Sequence, residues 1–107
     1  MSRFNRQQFQ AVFDVVASVT ATVDPASLAD GVGATTNVTV TGAALGDFVL
    51  AAPLVSVAGM TVTPFVTAAN TVSIRVQNES GGGVNMASST WNLLVIRPAA
   101  AAQEAAS

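Results

Sequence analysis

The stretch SVTATVDPASLADG, residues 18–31, decides the fold class. Val19, Ala21 and Val23 alternate with Ser18, Thr20 and Thr22, a period of two that puts apolar side chains on one face of a strand and hydroxyls on the other. The alternation ends at Asp24-Pro25, and turn-forming residues run on to Asp30-Gly31. The reading is a half-buried strand followed by a turn.

The same device recurs along the chain. TTNVTVTG (35–42) turns Val38 and Val40 inward, DFVLAA (47–52) and MTVTPFV (60–66) follow, NTVSIRVQN (70–78) sets Val72, Ile74 and Val76 on one face, and TWNLLVIR (90–97) completes the series. Turn signals separate the strands: DPAS, ADGVG, TGAALGD, AAN and NESGGG. About six short strands with no helix between them specify an all-β fold, a small antiparallel β-sandwich or barrel rather than a parallel sheet. Pro64 cannot donate a ladder hydrogen bond, so its strand belongs at an edge or is bulged there. In the last strand Trp91, Leu93 and Val95 face one way while Leu94 and Ile96 face the other with Asn92. Apolar residues on both faces imply a central strand, or one covered by a partner.

The flanks read differently. Asn5 can cap a short helix with Gln8 completing a capping box, Phe4 stapling onto Phe9, and Phe9, Val12, Phe13 and Val16 on one helical face. An extended arm competes with that reading, because Val15, Val16 and Val19 favour strand and Arg6 opposes the helix dipole. After Arg97-Pro98 the chain becomes AAAAQEAAS, too short for a stable isolated helix and read as a flexible Ala-rich tail. The expected organisation is an N-terminal arm or short helix over 1–17, a sandwich domain over 18–98 and a tail over 99–107.

Composition restricts function. The chain has 107 residues, a usual size for one domain, and is 50% apolar but only 9% charged, against about 25% in soluble domains. Its surface must therefore be Ser, Thr, Asn, Gln, Gly and Ala, and a net charge of −2 provides little self-repulsion. Such a surface suits a subunit of something larger. The four basic residues are Arg3, Arg6, Arg75 and Arg97 and form no run, so nucleic-acid binding lacks its electrostatic footprint. There is no cysteine and no histidine. Gln and Asp14 break the apolar core that a signal peptide would need, and no apolar run reaches the roughly 18 residues of a membrane span.

No stretch carries a catalytic signature, and no enzyme activity, cofactor or metal is expected. Of the acids Asp14, Asp24, Asp30, Asp47, Glu79 and Glu104, four lie in or beside turns, where a carboxylate bonds its own backbone. Asp47, in TGAALGDFVLAAP (41–53), reads as the polar corner before a buried strand. A serine nucleophile would lack its usual bases, ESGGGV lacks the Lys-Ser/Thr ending of a phosphate loop, and the aspartates miss the spacing of a calcium loop. An enzyme would need two carboxylates meeting in a pocket, with Asp24, Asp30, Asp47 and Glu79 the candidates. The acceptor-like triplets at Asn37 and Asn78 are discounted as glycosylation sites without an export signal. Phe48, Phe65 and Trp91 read as core. Arg3, Phe4, Arg6, Phe9 and Phe13 are the candidate partner contacts, since aromatic residues and arginine are enriched at interfaces; the same segment could instead cover one end of its own sandwich.

The succession SVTATVDPASLADG, VTVTGAALGDFVLAAP, GMTVTPFVTAANTVSIRVQNESGGGV and STWNLLVIRP resembles small β-sandwich virion structural proteins of tailed bacteriophages, the capsid decoration or cement group. Its most specific pieces are GAALGDFVL and AANTVSIRVQNESGG followed by TW. The resemblance implies a non-enzymatic protein of the phage head surface, made in the host cytoplasm. It would bind the major capsid protein, self-associate as a trimer or dimer, and stabilise the assembled head by bridging capsid subunits. The alternative within the virion is a head or tail fibre or spike module that contacts the host. No nucleic acid and no membrane enter either reading.

Overall fold

The structure, a computed structural model, describes residues 12–98. The short helix anticipated from Asn5 onward, and Arg3, Phe4, Arg6 and Phe9 with it, lie outside the described residues, as does the tail from 99. Six strands follow in order: β1 (Phe13–Val23), β2 (Gly33–Thr39), β3 (Phe48–Pro53), β4 (Thr61–Ala68), β5 (Thr71–Gln77) and β6 (Ser89–Pro98). They form two three-stranded antiparallel sheets, ordered β1–β6–β3 and β2–β5–β4. The described residues are all-β, with their strands laid out as a sandwich.

Each expected strand is present, and the central places go to β6 and β5. Directly opposed residues of an antiparallel pair share a face, so the register identifies which side chains point inward. In the first sheet Trp91, Leu93 and Val95 of β6 are flanked by Ala21, Val19 and Ala17 of β1 and by Pro53, Ala51 and Val49 of β3. In the second, Val72, Ile74 and Val76 of β5 are flanked by Val38, Thr36 and Ala34 of β2 and by Val66, Pro64 and Val62 of β4. The two central rows belong to one core cluster with Val23, Leu28, Val40, Ala43, Met60 and Met86. Fully burying side chains of this kind stabilises by about 1.5–3 kcal/mol each, which is the main term favouring this fold.

Pro64 sits on edge strand β4, where its missing N–H leaves no central ladder broken, while the irregularity of that strand falls later, between Val66 and Ala68. β1 starts at Phe13 rather than Ser18, because Phe13, Asp14 and Val15 pair with Pro98, Arg97 and Ile96. Val16 is the extra residue of a bulge, so Val15 stays on the outer face and Ala17 on the inner. Phe48 and Phe65, read as core, both point outward at 57% and 43% exposure; of the three aromatics assigned to the core only Trp91 is buried. The inward places beside them belong to Val49 and Val66. Period two separates two faces but does not say which one the core takes.

Candidate functional site

The loop between β2 and β3 folds as two consecutive turns. Ala43 N–H donates to Val40 O at 3.2 Å and Asp47 N–H to Ala44 O at 3.1 Å, each turn with a glycine at its third position, Gly42 (φ 96) and Gly46 (φ 97), where φ must be positive. The Asp47 carboxylate then closes its own turn by accepting the Ala44 N–H at 2.9 Å. From the end of β6, Arg97 grips it in a fork: Nε to Oδ1 and Nη2 to Oδ2, both 2.8 Å, with Nη2 also donating to Gly42 O at 3.1 Å. The hydrogen bond from Arg97 holds Asp47 below the usual carboxylate value, burial opposes this, and the Ala44 N–H adds to the lowering. Asp47 is therefore the corner it was read as, but β3 behind it is a half-buried edge strand, and the corner is locked to β6 by an ion pair.

Two of the remaining turn acids also accept hydrogen bonds, Asp30 from the Gly81 backbone N–H at 3.0 Å and Glu79 from the side-chain amide Gln77 Nε2 at 3.1 Å. Among the described residues no three acidic side chains converge. Asn78 is fully buried and its amide is saturated: Nδ2 donates to Leu28 O (2.9 Å) and Gly82 O (2.8 Å), while Oδ1 accepts from Ser80 N (3.0 Å) and Ser80 Oγ (2.7 Å). With both amide hydrogens engaged inside the fold, this asparagine is a structural clasp between the 28–32 and 78–84 loops rather than a glycan acceptor.

The two outer faces of the sandwich differ in chemistry. On the β2–β5–β4 sheet the outward residues are mostly polar and bonded to one another: Ser73 Oγ donates to Asn37 Oδ1 (2.7 Å), Arg75 to Thr35 Oγ1 (3.4 Å) and Gln77 Oε1 (3.2 Å), and Gln77 Nε2 to Gly31 O (3.1 Å). Gly33 keeps this network open, because a Cβ there would collide with Gln77 Oε1 and the Arg75 guanidinium. Phe65 is the outward aromatic on this side.

The β1–β6–β3 sheet presents the opposite character. Val15, Ile96 and Phe48 form one outward row, Ser18, Leu94 and Leu50 the next, and Thr20, Asn92 and Ala52 a third. Val15, Phe48 and Leu50 are 54%, 57% and 58% exposed. The lower two rows line a groove of about 640 Å³ with no ionisable side chain in its walls. At about 4.8 Å between strands and 3.4 Å per residue, three strands over the six residues of β3 make a face of roughly 14 by 20 Å. The groove offers apolar contact and hydroxyl and amide groups, with no ionisable side chain.

Phe13, opposite Pro98, lies on this same outer side, so of the candidate contact residues it is the one the described structure brings to the face. Leu94 and Ile96 were legible in advance from the doubly apolar β6. Phe48 and Leu50 were missed; their signal is that VLAAP offers only Val49, Ala51 and Pro53 for the opposite side. No helix of the described residues is long and apolar enough to cross a membrane. No family model, curated protein or solved structure matches the chain.

Proposed function

We propose that this chain is a non-enzymatic capsid decoration protein of a tailed bacteriophage, docking onto the assembled head through the outer face of the β1–β6–β3 sheet and bridging capsid subunits. The observation that carries the reading is the contrast between the two outer faces: one polar and internally hydrogen-bonded, the other apolar and without an ionisable group. The uncharged face requires an equally uncharged apolar partner surface, since a charged one would be desolvated without a counter-charge. The resemblance of GAALGDFVL and AANTVSIRVQNESGG to phage sandwich proteins supports a shell as that partner. A protein that binds the assembled, expanded state and not free subunits stabilises that state by mass action.

The test is to mix the purified chain with expanded capsids lacking it, image the particles by electron microscopy and measure their thermal rupture. The reading expects regular density at symmetry-related positions and raised resistance to rupture, with Leu50→Glu and Leu94→Glu binding at least tenfold more weakly while remaining folded. Absence of binding, or density confined to the tail, overturns it and moves the protein to the fibre reading.

A further inference from the structure

The edges of the sandwich are unequal. β3 lies against β4 at one flank, and these two strands carry Pro53 and Pro64, with β4 also bulged near its end. Proline and bulges are the devices by which an edge refuses a further strand. The opposite flank is formed by β1 and β2. β1 is the longest of the six strands at 11 residues, pairs with β6 on one side, and over Ala17–Val23 has no neighbouring strand on the other among the described residues. Its regular part beyond the bulge, Ala17–Val23, contains no charge and no proline. Val19, turned inward opposite Leu93, is still 40% exposed, because the flank beside it is open.

We infer that a second copy of this chain adds its β1 to this edge, antiparallel about a two-fold axis at Thr20. In that register Thr20 meets its own counterpart and Ser18 meets Thr22 on the outer face, both favourable hydroxyl pairs, while Val19 meets Ala21 on the inner face and loses its exposure. Asp24 falls opposite Val16 and Asp14 beyond the partner strand's end, so no like charges oppose each other. β2, the other open edge, has only seven residues and borders the polar face, which gives it less to gain.

The pairing makes a continuous six-stranded sheet and doubles the apolar outer face. A single face of roughly 14 by 20 Å falls well short of the ~800 Å² per partner usual for a stable interface; two joined faces come closer to it. The association itself does not depend on what that face docks to, so it can fail or stand independently of the capsid reading.

The test uses the full chain in solution. Sedimentation velocity is run on the wild type and on Thr20→Lys, which sets two ammonium groups face to face at the axis on a position already exposed. Because the chain has no cysteine, Thr20→Cys and the exposed control Thr63→Cys are also compared for disulfide cross-linking under oxidation. The expected result is a wild-type dimer, association at least tenfold weaker in Thr20→Lys with unchanged circular dichroism, and cross-linking at 20 well ahead of 63. A wild type that remains monomeric throughout its soluble range, a dimer that Thr20→Lys leaves intact, or equal cross-linking at the two positions overturns the inference.

Discussion

Replacing Asn78 by Asp keeps the side-chain volume and exchanges two N–H donors for an acceptor. In the native loop those donors bond Leu28 O at 2.9 Å and Gly82 O at 2.8 Å from a fully buried position. Two neutral hydrogen bonds are lost at about 1 kcal/mol each net, and an acceptor facing two carbonyls without water adds about 1–3 kcal/mol, for a total of about 3–5 kcal/mol. That is a large share of the 5–15 kcal/mol typical of a domain. Asn78→Ala is milder, at about 2–3 kcal/mol, because both carbonyls have another donor within reach: Leu28 O accepts Val84 N–H at 2.8 Å, and the single Ser80 hydroxyl hydrogen, released from Asn78 Oδ1, can turn to Gly82 O 3.2 Å away.

The two variants also differ in pH dependence. A carboxyl at this position has its folded pKa raised above the unfolded value of about 3.9 by desolvation. Between the two values the unfolded state holds fewer protons than the folded one, so stability falls as pH rises, by up to about 1.4 kcal/mol per unit. Below the unfolded pKa the excess penalty vanishes, since the protonated acid can donate one of the lost bonds. Urea unfolding of the wild type and both variants from acid to neutral pH measures this. An Asn78→Asp penalty that is flat with pH, or smaller than that of Asn78→Ala at neutrality, would refute the clasp.

Other consequences can be checked with the same equipment. Asp47 has a lowered pKa, so its pairing with Arg97 contributes stability above the unfolded carboxylate value that is lost as pH falls through the folded one; Asp47→Asn should narrow its stability deficit to the wild type as pH drops over that window. Trp91 is fully buried yet its Nε1–H finds no acceptor among the described residues. Trp91→Ala should therefore cost about 3–5 kcal/mol in equilibrium unfolding, whereas Trp91→Phe, which deletes the unsatisfied donor along with some volume, should stay within about 1.5 kcal/mol. Docking through a face without ionisable groups should change little between low and high salt, read as particle occupancy; a steep loss would count against an apolar interface.

The strands themselves were legible from local pattern, because the alternation in SVTATV, the turn residues at DPAS and ADG, and the edge-seeking Pro64 each act within a few residues. Tertiary structure decided the rest. The start of β1 at Phe13 depends on Pro98 and Arg97 being available as partners, and the Asp47–Arg97 fork joins residues 50 positions apart. Asn78 became a buried clasp only when the loop around Leu28 was laid over it. Phe48 and Phe65 went outward because register, a property of strand pairs, assigned the core to Val49 and Val66. Alternation along one strand states that its two faces differ; only the neighbouring strand determines which face is removed from water.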